Sequence, residues 1–230
     1  LFEKVLAASK NINCRNTKGV TPLMTACAAG ALGAVDRLLF YRADLLAASH
    51  EGVTALHLAC QHSEAKTALR LLEEDGGRQL VNSVNHKGAT PLIEAIRKGH
   101  AGLVRAFLDL GAMTNTVDSE GNAALHQAAI QGRLDIMRDL RAAGADLELC
   151  GTDVRQTPLI AAVRAGEVQT ALLLLSEGAN PNAQNQSGIS ALMFALAGEY
   201  REIVDALLDS GADASLIDDW GRNVLHYGED

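Results

Sequence analysis

Thr90-Pro91-Leu92-Ile93-Glu94-Ala95-Ile96-Arg97-Lys98-Gly99 is the stretch on which the fold turns. Its opening tripeptide recurs at Thr21-Pro22-Leu23 and Thr157-Pro158-Leu159, so three of the four prolines sit in one motif. Weaker copies stand at Thr54-Ala55-Leu56, Ala123-Ala124-Leu125, Ser190-Ala191-Leu192 and Asn223-Val224-Leu225. The leucines fall at 23, 56, 92, 125, 159, 192 and 225, spaced by 33, 36, 33, 34, 33 and 33 residues. Self-similarity at a near-constant pitch of this size marks a chain built from copies of one supersecondary unit.

Each copy carries the same physical instructions. A threonine or serine caps a helix by accepting a backbone N–H that has no intrahelical partner. Proline suits the next position, where its missing N–H would be unpaired anyway. A short helix follows, as in LMTACAAG and LIEAIRKG, and ends near Gly30, Gly99, Gly132 or Gly166. A second helix carries aliphatic residues at helical spacing, such as Leu103, Val104, Phe107 and Leu108. It stops at Gly111-Ala112, Gly144-Ala145, Gly178-Ala179 and Gly211-Ala212, where glycine can take the left-handed conformation that ends many helices. An Asn/Asp-rich stretch such as Asn180-Pro181-Asn182-Ala183-Gln184-Asn185 closes the unit as a turn or a β-hairpin.

The pattern resembles the ankyrin repeat, with its period of about 33 residues and its Thr-Pro-Leu-His-x-Ala hallmark. The fullest copies are Thr54-Ala55-Leu56-His57-Leu58-Ala59 and Ala124-Leu125-His126-Gln127-Ala128. The resemblance covers essentially the whole chain. It implies an all-α solenoid of stacked helix-turn-helix units with β-hairpin fingers, forming a single domain over 1–230. Six full copies occupy 18–217, with a partial copy at 1–17 and another at 218–230. A lone unit cannot bury its apolar face, so stability in such an array comes from stacking on neighbours.

Composition narrows the function. Acids outnumber bases 28 to 20, for a net charge of −8, which argues against nucleic acid as a partner. Only eight residues are aromatic beside 38 alanines and 21 glycines, so the core is aliphatic and thin-layered and a large aromatic-lined pocket is not expected. The four cysteines form no Cys-x-x-Cys pair, and an intracellular reducing compartment, the cytoplasm rather than the nucleus, is expected. No apolar run reaches the ~18–20 residues of a membrane span, so direct membrane insertion is not expected. The opening LFEKVLAASK has an acid and no apolar centre, and lacks an initiator methionine, which suggests an excised fragment.

His57, Cys60 and His62 crowd one helical stretch and invite a metal reading, but a structural zinc needs four convergent ligands. The resemblance assigns His57, and His126 and His226 in the same register, to hydrogen bonds between turns. Cys27 and Cys60, 33 residues apart, are expected to stack as small buried groups. No phosphate loop, nucleophile elbow or His-Glu-x-x-His occurs, so no catalysis, metal or cofactor is expected.

The resemblance implies protein recognition through finger tips and the exposed side of each first helix, on a concave face. The positions that vary there include Gln61 and His62, Arg97 and Lys98, Ile130 and Gln131, and Arg164. Three cations around an aliphatic Ile130 suit an acidic peptide or protein segment with one aliphatic anchor. Trp220, the single tryptophan, falls at a finger tip and is a further contact candidate, or else covers the end of the array. The expected function is therefore a scaffold or adaptor; the alternative is a regulatory or substrate-recruiting portion of a larger enzyme, channel or ubiquitin-ligase adaptor. Three departures mark the pattern: the extra residues around Glu74–Arg78, a fifth finger at Gly151–Gln156 without the usual glycine, and Phe40-Tyr41-Arg42 where other copies are polar and end in glycine.

Overall fold

The computed structural model describes residues 11–62, 65–151 and 155–228. The first ten residues of the N-terminal partial copy, and Asp153 and Val154 of the fifth finger, lie outside them. Among the described residues, a first and a second helix alternate through six copies. They are α1 (Pro22–Ala28) and α2 (Leu32–Phe40), α3 (Ala55–Cys60) and α4 (Lys66–Leu72), and α5 (Pro91–Arg97) and α6 (Ala101–Asp109). The series continues with α7 (Ala124–Ile130) and α8 (Leu134–Ala142), α9 (Pro158–Arg164) and α10 (Val168–Ser176), and α11 (Ala191–Ala197) and α12 (Arg201–Asp209). Short 3₁₀ turns occupy Gly77–Leu80 and Val224–Tyr227.

The helices begin where the sequence places the caps. Thr21, Thr90 and Thr157 lie in extended backbone, and their hydroxyls accept the N–H of Met24 at 3.3 Å, Ile93 at 3.3 Å and Ile160 at 3.4 Å. Helices of six to nine residues do not persist alone in water, so packing must hold them. Leu23, Leu56, Leu92, Leu125, Leu159 and Leu192 are buried, and the second helices add Val35, Leu71, Phe107, Leu140, Leu174 and Leu207. The seventh motif leucine, Leu225, lies in a 3₁₀ turn and is exposed.

Two compact units divide the chain, Leu1–Met113 and Thr114–Asp230. In the first, α1 packs on α3 and α3 on α5; in the second, α7 packs on α9 and α9 on α11. Each unit is a stack of helix pairs, an all-α solenoid.

Polar side chains bond one copy to the next. Asn13 Oδ1 accepts the Asp44 N–H at 2.8 Å, Asn82 Oδ1 that of Met113 at 2.8 Å, Asn115 Oδ1 that of Asp146 at 3.0 Å and Asn182 Oδ1 that of Asp213 at 2.7 Å. Glu148 serves the same register toward Asn180 at 2.8 Å. Leu46 replaces the amide in the first full copy and lies half-exposed beside Gly76, next to the extra residues. Those residues form the Gly77–Leu80 turn, entered through Gly76 at φ +96°.

Six of the fingers are tight turns in which a short polar side chain accepts two backbone N–H groups, whereas the fifth has Gly151 at that position and lies partly outside the described residues. Asn85 Oδ1 takes those of Lys87 at 2.9 Å and Ala89 at 3.1 Å; Asn16, Ser49, Asp118, Asn185 and Asp218 repeat the arrangement. Of the two closures the sequence allowed, the turn is the one formed. Among the described residues the fingers make only single antiparallel bridges, Ala48 with Thr54 and Gln184 with Ser190, and no strand.

Among the described residues, three that are not glycine stand in positive-φ positions that glycine fills in other copies: Arg42 at +63°, Arg155 at +46° and Glu199 at +55°. Arg155 marks the distortion expected of the fifth finger. There Gly151 lies so close to the backbone of Gly121 that neither could carry a side chain without displacement. Phe40 and Tyr41 meet edge to face at 5.2 Å, and both stay exposed.

Candidate functional site on the fingers and first helices

At the end of the first helices α1, α3, α5, α7 and α9, a buried frame residue is followed at once by a more accessible one, whereas in α11 the frame residue Leu196 is itself half-buried. Cys60, Ile96, Ala129 and Val163 are 0% exposed, whereas Gln61, Ile130 and Arg164 are exposed and Arg97 is half-buried. The frame thus holds its neighbour's side chain outward in copy after copy.

In the first unit, Lys98 is exposed, while Arg97 is partly neutralised by Glu94, 3.6 Å from its Nη1. The Glu94 carboxylate is largely buried, so this pair is screened less than a surface one. The His62 ring lies over Gly30, where any side chain would strike it, and the His62 carbonyl accepts from His100 Nε2–H at 2.6 Å. His62 is therefore packed between copies as well as partly open.

In the second unit, Ile130 and Arg164 line one groove of about 400 Å³ with Glu120, Gly121, Asn122, Gln156, Ala161 and Ala165. Gln131 lies half-buried beside Ile130. Arg164 does not extend freely: its Nη1–H donates to the Gln156 side-chain oxygen, and its guanidinium lies 5.7 Å from the Phe194 ring centre. Glu94, Gln156 and Phe194 are the residues that sequence reasoning missed. Glu94 and Phe194 occupy one register of the first helix, together with Ala161, and variation at that position was the available signal.

Trp220 is 65% exposed at its finger tip, so it does not cover a buried end. The Arg222 guanidinium sits 4.9 Å from the Trp220 ring centre and 4.9 Å from that of Tyr227. Arg222 Nε–H donates to Asp218 at 2.8 Å, and the Tyr227 hydroxyl donates to the same carboxylate oxygen at 2.5 Å. Burial alone would raise the Asp218 carboxyl. The hydrogen bonds from Tyr227, from Arg222 and from the Trp220 N–H outweigh it and bring the pKa down to about 2. Burial is the main reason the Tyr227 phenol is raised, with the Asp218 bond adding to it.

The residues that suggested a metal have separate employments. His57 Nδ1 accepts the Thr54 N–H at 3.3 Å, and its Nε2–H donates to the Ala89 carbonyl at 3.0 Å. His126 repeats this with Ala123 at 3.2 Å and Gln156 at 2.7 Å. These bonds require the neutral Nε2–H tautomer, and burial lowers both pKa values below 6.5 despite the opposing carbonyl bonds. His226 in the same register bonds Asn223 and is exposed. Burial pushes the Cys27 thiol up to about 12 and raises Cys60 too, where Glu94 and Cys27 add to the effect. Among the described residues no three His, Cys, Asp or Glu side chains converge on a metal position. Likewise, among them no helix is long and apolar enough to cross a membrane.

Charge is divided unevenly. Residues 1–113 hold 13 Lys/Arg and 10 Asp/Glu, a net +3; residues 114–230 hold 7 and 18, a net −11, and contain no lysine. Arg97 and Lys98 thus belong to a mildly basic unit and Arg164 to a strongly acidic one.

Comparison with known proteins fits this geometry. The profile of the ankyrin repeats matches three times, at residues 1–80, 71–150 and 147–218. An E3 ubiquitin-protein ligase of Arabidopsis thaliana, KEG, is 30% identical over 84% of this chain, which spans 12% of that protein's length. The human ASB11 ankyrin repeat domain superposes with a TM-score of 0.79 at 27% identity, covering 91% of this chain and 92% of that one. The ankyrin repeat domain of Bcl-3, of the IkappaB protein family, gives 0.75 at 30% identity, covering 93% and 96%. Capped helix pairs, interlocking fingers and these matches agree: the chain belongs to the ankyrin-repeat family, whose fold is a non-catalytic module for protein–protein interaction.

Proposed function

We propose that this chain is a scaffold or adaptor that holds a peptide segment or folded protein on its fingers and first-helix faces. The observation that carries the reading is the alternation at the ends of α3, α5, α7 and α9, where a fully buried residue is followed by a more accessible one of different chemistry. Lys98 and Arg97 supply charge in the first unit, and Arg164 and Ile130 a cation and an aliphatic anchor in the second. The partner is accordingly a segment with acidic and aliphatic side chains. Gln61, His62 and Gln131 border the helix-end contacts, and Trp220 offers an aromatic surface at a finger tip. Net charge disfavours nucleic acid as partner.

Arg97→Glu/Lys98→Glu is expected to weaken capture of the partner from cell lysate at least tenfold, with an unchanged helical circular dichroism spectrum. Full retention of the same partner would remove the first unit from the site. A second reading is favoured by the small fraction of the plant ubiquitin ligase that the chain matches. On it, the module recruits substrate or regulates for a larger enzyme, channel or ubiquitin-ligase assembly. Sequencing the whole transcript tests this reading, which requires a catalytic, channel or ligase-binding domain in the same chain or in the captured complex.

A further inference from the structure

The groove of the second unit is more selective than a strip of positive charge. Arg164 has a neutral partner on one edge, Gln156, and an aromatic face beneath it, Phe194. Among the described residues no carboxylate pairs with it. Arg133, Arg141 and Arg222 of the same unit, by contrast, reach Asp135 at 3.3 Å, Glu177 at 2.7 Å and Asp218 at 2.8 Å. Gln156 is itself immobilised: it is 8% exposed, and its backbone carbonyl accepts the His126 Nε2–H. The guanidinium is therefore held in place with no ion pair among the described residues, a state suited to a carboxylate in bidentate approach.

The rest of the groove is apolar apart from Glu120 and Asn122 on the finger side, where the Asn122 amide donates to the Glu120 carboxylate at 3.4 Å. Ile130 is 36% exposed and shares the lining with Ala161, Ala165 and Gly121. The unit's net charge of −11 repels a run of acids, whereas one carboxylate beside a fixed guanidinium gains more locally than it loses to charges beyond a Debye length of about 8 Å.

We infer that this groove seats a short partner segment bearing a single carboxylate on Arg164, an aliphatic side chain against Ile130 and Ala165, and a cation facing Glu120. Gln156 and Phe194 act as positioning residues that hold the guanidinium. The inference rests on the interaction-module reading and narrows it for the second unit, from an acidic segment to a lone acid in a neutral or basic context.

The test is selection of phage-displayed random dodecapeptides on the intact chain, followed by fluorescence anisotropy with the enriched sequences. Enriched peptides are expected to pair one Asp or Glu with a nearby aliphatic and with Lys or Arg. Changing that acid to its amide should cost about tenfold in affinity, Arg164→Gln the same, and the two together no more than either alone. Phe194→Leu and Gln156→Ala should weaken the acid peptide several-fold yet leave the amide peptide untouched, which loss of folding would not do. Enrichment of poly-acidic peptides, or of peptides indifferent to Arg164→Gln, overturns the groove assignment. In that case sensitivity of the same peptides to Arg97→Glu/Lys98→Glu keeps the module reading alive. Failure to enrich any peptide overturns the groove as a peptide site, and the lysate capture then judges the module by itself.

Discussion

His57 and His126 each give up the freedom to titrate in order to join two copies. Both rings accept a cap N–H at Nδ1 and donate from Nε2, so a second proton has no place to go without breaking the cap bond. Their folded pKa values lie below 6.5, so the unfolded chain binds protons more readily. Their stabilisation is complete above pH 6.5 and fades as the pH falls from there toward the folded values. The urea midpoint should drop between pH 7.5 and 5.5, and His57→Asn/His126→Asn should flatten that drop while lowering the midpoint throughout. Asp218 acts in a different window. Its pKa is depressed to about 2, so its contribution is present above 3.8 and is lost as the pH falls toward 2.

At the scale of helices and turns, the positive-φ positions make a paired experiment. Gly111 at φ +77° and Arg42 at φ +63° end the second helices of different copies, and no neighbour stands within 4 Å of a Cβ added at Gly111. Gly111→Ala should therefore destabilise through backbone strain alone, by about 1 kcal/mol. Arg42→Gly should relieve the same strain and stabilise by up to about 1 kcal/mol, both read from thermal unfolding. Removing the Thr90 hydroxyl by Thr90→Ala should cost about 1 kcal/mol, because the Ile93 N–H loses its acceptor in a buried place.

Much of this level was legible in the sequence. Thr-Pro-Leu announces a cap, a first helical position and a core anchor, and Gly111 or Gly144 announces a stop, because each of these depends on local backbone chemistry. What escaped depends on pairings set only once copies are stacked. Gln156 reads as a loop residue until Arg164, eight positions on, bends back to it. Phe194 is only one more variable helix residue until a cation from the preceding copy lies against it. Arg97 reads as a free cation until Glu94 is seen beside it, although an i,i+3 spacing was there to be noticed.

For the whole molecule, a single net charge of −8 concealed two units of opposite sign. Self-repulsion among 18 acids burdens the second unit, and salt should relieve it. Trp220 lies in that unit and is the only tryptophan, so its fluorescence reports there alone. The urea midpoint followed at Trp220 should rise between 20 and 300 mM salt, where screening shortens from about 20 Å to about 6 Å. An unchanged midpoint would mean that the acids are already compensated by local bonds such as those at Asp218.

The amide ladder has a consequence for how such a chain can change length. Asn82 accepts from Met113 and Asn182 from Asp213, each about one pitch ahead, so a copy with this side chain brings an acceptor for its successor and a donor for its predecessor. Duplicating about 33 residues in register inserts both halves of the joint at once, and no existing bond has to be redesigned. Duplication out of register sets the backbone N–H of one copy against a residue that cannot accept it, as an aliphatic side chain such as Leu46 cannot. Growth by whole copies is thus nearly neutral, and growth by fractions is not: the hydrogen-bond register works as a reading frame written in structure.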